Sequence, residues 1–240
     1  MQISPKWHRA EDLLGMSRED AQNEINDIVR EITRIQKELE MTSLNDHMMP
    51  YHIPTREGSL GMRRYELNVI REYFKLQGWE YEPTKVEIAD QKFNERLRYL
   101  QSIEIEFSGN TYGNEIRKIT FDNEKIHVDR SFTINFPCPN ETDRKFFDGM
   151  TKKKLLEELT RLHIGEWKRK YKNSWNINDS QWSVVFKYSD GKERKFEGIN
   201  KYPYGFDSFL KLIEMDWCFK KFKDLDIEFF ERIYQKISSR

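Results

Sequence analysis

Little in this sequence invites covalent, metal or membrane chemistry. Cysteine occurs twice in 240 residues, as Cys138 and Cys218 in unrelated contexts, which argues against a disulfide framework or a cysteine-built zinc site. Neither has an immediate histidine or basic neighbour to activate its thiol. No stretch approaches the roughly 20 consecutive apolar residues of a spanning helix. Met1–Lys6 lacks the apolar region of a secretory signal, so a soluble cytoplasmic protein with no membrane contact is expected. Net charge is also missing: 41 Lys+Arg balance 41 Asp+Glu, which argues against a dedicated, strongly basic nucleic-acid binder. Gly-x-Gly-x-x-Gly, Gly-x-x-x-x-Gly-Lys, Gly-x-Ser-x-Gly and His-Glu-x-x-His do not occur. No cofactor, no metal and no catalytic residue is therefore expected.

What is present is charge and aromatic area. Hydrophobic residues make up 37% and charged residues 34%, but 16 Phe, 11 Tyr and 6 Trp offset the low aliphatic content, because each aromatic buries a large area. The length suits one large or two small domains. The zero net charge hides a polarity. Residues 1–150 hold 21 Lys+Arg against 27 Asp+Glu, and residues 151–240 hold 20 against 14, giving −6 and +6. The halves either attract each other or face different partners.

Residues 1–100 read as a helical part. Ser17-Arg18-Glu19-Asp20 resembles a capping box and opens a helix over about 17–41. Ile25, Ile28, Ile32, Ile35 and Leu39 form a heptad seam on it. Two and a half heptads are short for an autonomous coiled coil, so the seam needs a partner, either within the chain or in a homodimer or partner-protein helix. Thr42 to Gly58, with His47, Tyr51, His52 and two prolines, reads as a connector. A second helix is expected over 60–77, ended by Gly78. A third is expected over 84–100, opened by Thr84-x-x-Glu87.

The period then changes to that of strands. Residues 101–240 read as an α+β domain, hairpin–helix–hairpin–helix, with an antiparallel sheet. Ile103, Ile105 and Phe107 alternate, Glu115 to Phe121 returns, and a third extended segment runs through Ile126 and Val128. A helix is expected from Thr151 to about Tyr171, with Lys152, Lys153 and Lys154 at one end and Lys168, Arg169, Lys170 and Lys172 at the other. Lysines at a helix N-terminus oppose its dipole. Their role is thus either binding an acidic protein or phosphate backbone, or plain solvation. Trp182, Val184, Phe186 and Tyr188 alternate before Ser189-Asp190-Gly191. A three-residue loop with Gly191 in the left-handed region would set Phe196 opposite Val184. Asp207 or Ser208 is expected to cap a helix to about Trp217, and Asp224 to open a last one.

Asp190, Glu193 and Lys195 hold the elements of a metal-dependent nuclease hairpin, but Asp190 is required for the turn itself. Trp167-Lys168-Arg169-Lys170-Tyr171, Asp179-Ser180-Gln181-Trp182 and Gly198-Ile199-Asn200-Lys201-Tyr202-Pro203 resemble a group of proteins from Gram-positive bacteria, their prophages and other mobile elements. The group's pattern is a Trp-Tyr helix, an Asp-Gly-x-Gln-Trp strand start and Gly-x-Asn-x-Tyr-Pro before a Leu-rich helix. The resemblance covers about residues 101–217, and Ser180 departs from it where the group commonly has Gly. The group has no agreed activity, so the resemblance implies a fold and a mobile-element setting in a bacterial host cell. The expected function is a non-enzymatic protein-binding effector of a phage or other mobile element, in the manner of an anti-CRISPR inhibitor of a defence nuclease. The alternatives are a nucleic-acid-binding module and a metal-dependent nuclease. The candidate contact residues are Arg30, Arg34 and Lys37 on the heptad helix, His47, Tyr51 and His52 in the connector, and the two basic clusters.

Overall fold

The computed structural model describes residues 5–40, 53–109, 113–133, 147, 149–173 and 181–215. α1 (Arg18–Leu39) starts at the expected cap. Ser17 Oγ accepts the Asp20 N–H at 3.1 Å, and its hydroxyl donates to the Asp20 carboxylate at 2.6 Å. Ala21, Ile25, Ile28, Ile32 and Ile35 are buried where α1 packs on α2 (Ile53–Leu76). Tyr73 donates to the Met16 carbonyl at 3.0 Å, while Met62 lies beside Ile35, so the two helices run antiparallel. The seam is therefore satisfied within the chain. The apolar face that a homodimer through helix 17–41 would use is covered by α2.

α2 begins seven residues ahead of the expected Leu60. Pro54 falls in its first turn, where the missing N–H would have had no helical partner. What remains of the connector, with His47, Tyr51 and His52, lies outside the described residues. Gly78, at φ 67°, ends α2: its N–H reaches the Lys75 carbonyl and the Trp79 N–H reaches Phe74. α3 (Lys85–Leu97) opens with the expected reciprocal cap between Thr84 and Glu87.

The chain is α+β, and among the described residues its sheet has six strands: β1 (Leu100–Gly109), β2 (Gly113–Asp122), β3 (Lys125–Thr133), β4 (Lys170–Lys172), β5 (Gln181–Tyr188) and β6 (Glu193–Ile199). The spatial order is β3-β2-β1-β5-β6-β4. The sheet is mixed rather than antiparallel as expected, because β4 lies parallel to β6. Chain direction explains this: β4 and β6 both run opposite to the strand between them in sequence, so they share a direction. The hairpin matches its reading. Val184 faces Phe196, Gly191 sits at φ 75°, and the Tyr188 N–H reaches the Lys192 carbonyl at 3.0 Å.

One face of the sheet carries Ile103, Ile105, Phe107, Trp182, Val184, Phe186 and Phe196, all buried. α3 sets Phe93 on Phe186 at 5.1 Å, and Phe206 and Phe209 of α5 (Phe206–Leu212) complete the layer. These residues and the α1–α2 seam belong to one buried cluster running from Trp7 to Met215. The opposite face is polar, with Lys187 on Glu104 at 2.6 Å and Lys195 on Glu197 at 2.8 Å.

Two expected elements are corrected. The helix expected to Tyr171 is α4 (Lys152–Arg161), then a 3-10 turn at Ile164–Glu166, then β4. Gly165 explains the break. It presses on α3 so closely that a Cβ there would stand 2.5 Å from the Asp90 Cα, and His163 enters at φ 51°. Trp167 and Tyr171 are buried as the spacing predicts, but from extended chain. α5 is entered through Gly205 at φ 68° instead of an Asp207 or Ser208 cap, and it stops at Leu212, before Glu214 at φ 57°. The last helix, expected from Asp224, lies outside the described residues. Among the described residues no helix is long and apolar enough to cross a membrane.

Candidate functional site

The two basic clusters do not share a helix. Lys152–Lys154 open α4 beside the β2–β3 turn, where Glu124 accepts the Lys152 N–H through its carbonyl and the Lys153 N–H through its carboxylate. Glu124 supplies the negative charge that the helix N-terminus lacks in its own first turn. The Lys152 ammonium lies 5.1 Å over the Phe121 ring. Lys168, Arg169, Lys170 and Lys172 instead lead into and form β4, at the far edge of the sheet. Six strands at roughly 4.8 Å spacing separate the two edges by about 24 Å.

The β4 edge gathers cations from three segments. Lys168 and Lys201 share Glu40, at 2.6 and 2.9 Å, and Lys170 and Lys195 share Glu197, at 3.1 and 2.8 Å. Burial alone would raise the Glu40 pKa, but hydrogen bonds from Lys168 and Lys201 outweigh it and hold the carboxyl below its ordinary value. Two lysines on one glutamate leave a surplus positive charge at each place. Arg169 and Lys172 are exposed beside them. A depression of about 420 Å³ opens here, lined in part by Lys170, Lys172, Lys195, Gln181 and Ser183.

The residues that carry the family resemblance hold this edge in place. Trp182 donates from Nε1 to the Lys201 carbonyl at 2.9 Å, stacks on Tyr202 and meets Phe206 at 4.6 Å. Gly198 leaves the room: a Cβ there would stand 2.3 Å from Trp182 Nε1. Trp167 donates to the Tyr204 carbonyl at 3.1 Å. Trp167, Trp182, Gly198 and Tyr202 thus serve packing.

Among the described residues, one group of histidine and acidic side chains converges: Asp90, His163 and Glu166. His163 Nδ1 lies 2.8 Å from Asp90 Oδ2 and 3.8 Å from Glu166 Oε1. The other Asp90 oxygen accepts the Gly165 N–H at 3.1 Å. Glu166 Oε2 accepts from Gln36 and Arg64, each at 2.6 Å, and from the Tyr204 hydroxyl. Burial first, then the Glu166 charge, pushes the Tyr204 phenol well above its usual pKa. A cation between these ligands would have to break the His163–Asp90 contact and sit beside the Arg64 guanidinium. The geometry is that of a clasp joining α1, α2, α3 and the 3-10 turn.

The remaining candidates are dispersed. On α1, Arg30 pairs with Asp27, Arg34 with Glu31 and Glu38, and Lys37 is exposed. Asp190 grips Arg96 at 2.9 and 3.0 Å and accepts the Lys192 N–H, while Lys195 is held by Glu197. Asp190 and Lys195 thus answer to separate demands of the hairpin. The sequence reading missed Arg194 and Lys201 beside β4, and the clasp as a whole. Its members come from five separated places in the chain with no spacing to connect them. No protein-family model matches the chain, and neither a curated protein nor a solved structure does. The resemblance to the Gram-positive group therefore rests on the quoted residues alone.

Proposed function

We propose that this chain is a non-enzymatic binding protein that docks an acidic protein surface on its β4–β6 edge. The observation that carries the reading is the gathering there of Lys168, Arg169, Lys170, Lys172, Lys195 and Lys201 against Glu40, Glu106, Glu193 and Glu197. Clustered charge of one sign raises encounter rates with an oppositely charged partner and selects against basic ones. The motif resemblance supports a more specific form, an effector of a phage or other mobile element that blocks a host defence nuclease. The test is a pull-down from Gram-positive lysate with the native chain and with an Arg169→Glu/Lys172→Glu variant. The expected result is an acidic protein that the native chain retains, the variant loses and added salt releases. Recovery of the same proteins by both forms, or no partner at micromolar concentration, would sink the reading. The same cations favour a second reading, binding of a nucleic-acid backbone. A salt-dependent mobility shift distinguishes it, because a protein-only binder gives none.

A further inference from the structure

We propose that the corner where the β5–β6 hairpin meets α3 binds a tetrahedral oxyanion of the phosphate class, held by Arg169 and Arg194 with Arg96 and the Tyr188 hydroxyl behind them. Arg194 faces Phe186 across the hairpin, and its guanidinium lies 5.2 Å over the Phe196 ring. Its Nε is buried with no hydrogen-bond partner. The Arg169 backbone runs beside β6, its carbonyl accepting the Glu197 N–H at 3.0 Å, and its charge reaches Arg194. Burial first, and then the charge of Arg169, pull the Arg194 pKa down. Arg96 lies 4.3 Å over the Tyr188 ring; one terminal nitrogen holds Asp190, while its Nε is also buried without a partner. Tyr188 is only 2% exposed, and its hydroxyl makes no hydrogen bond. Both Arg96 and Arg194 act electrostatically on that hydroxyl.

Buried polar groups are nearly always paired, so three orphaned donors in one corner need an explanation. Asp190 is the carboxylate bonded there, and Arg96 and Lys192 already share it. A phosphate or sulfate presents several acceptor oxygens with negative charge, and guanidinium forks match that geometry. The inference goes beyond the docking reading, because it requires no protein partner.

The test is calorimetric titration of the full chain with inorganic phosphate and with sulfate, holding ionic strength constant with chloride. Saturable binding is expected, weakened at least about tenfold by Arg194→Gln and by Arg169→Gln. Tyr188→Phe should weaken it about threefold while leaving the fold intact. Arg169 is exposed, so R169Q decides the matter if R194Q fails to fold. Phosphate that acts no differently from chloride, or an affinity unchanged in R169Q, overturns the proposal. Phosphoserine, run in parallel, separates the sources: tighter binding than inorganic phosphate assigns an esterified group, and weaker binding assigns the free ion.

Discussion

At position 198 one methyl group would strike both ends of one hydrogen bond. A Cβ on Gly198 stands 2.3 Å from Trp182 Nε1 and 2.6 Å from the Lys201 carbonyl oxygen, the donor and the acceptor of the bond that closes the 198–202 segment. Neither neighbour can retreat without breaking it, and the indole is held in turn by Tyr171, Tyr202 and Phe206. Gly198→Ala is therefore expected to destabilise the fold by about 3 kcal/mol, from overpacking and a lost buried hydrogen bond together. Urea unfolding followed by tryptophan fluorescence measures this. A loss below about 1 kcal/mol would mean that the corner relaxes more freely than close packing allows. Gly191 needs its conformation and Gly198 needs its emptiness, two different reasons for the same residue type within one hairpin.

Among the elements, α1 shows how a seam can be legible while its partner is not. Truncating Ile28, 4% exposed at the α1–α2 contact, to alanine should cost about 3 kcal/mol. The melting temperature of native and variant chains should be independent of protein concentration, because the partner helix lies in the same molecule. A melting point that rises with concentration would place the seam between molecules instead. The cap at Ser17, the capping box at Thr84 and the Gly78 stop were readable because each depends on residues a few positions apart, and the Val184–Phe196 register because the short Ser189–Gly191 turn sets it. Pairing of α1 with α2 was not, since a heptad seam fits any apolar partner. The region 151–171 misled for a related reason. Leu155, Leu159, Leu162, Trp167 and Tyr171 keep a helical spacing, yet Gly165 must lie against Asp90 of α3, a contact 75 residues away. Long-range contact overrode local period. The three-residue β4 carries too short a pattern to read at all, and the basic edge of the candidate site was therefore placed on a helix.

Across the whole molecule, the −6/+6 polarity is in part spent internally. Glu40, from the acidic half, binds Lys168 and Lys201 of the basic half. Another tie runs the other way, with Arg64 of the acidic half holding Glu166 of the basic one at 2.6 Å. Complementarity at the scale of halves is thus a statistical outcome of particular contacts, and the surplus it leaves at β4 is what a partner would meet. Glu166 is the residue on which this integration depends most, since Gln36 of α1, Arg64 of α2 and Tyr204 before α5 all converge on one of its oxygens. Glu166→Gln keeps the shape but removes the charge, leaving the Arg64 guanidinium, 20% exposed, without its carboxylate. A cost of about 3 kcal/mol is expected, because one partner of a largely buried ion pair is lost while the other stays in place. The distribution of that loss is the informative part. If the clasp couples the helical layer to the sheet layer, hydrogen exchange will show protection falling together in the last turns of α1, around Arg64 in α2 and at residues 163–167. Loss confined to residues 163–167 would show instead that the layers are held by the apolar cluster alone and that the clasp serves only the local turn.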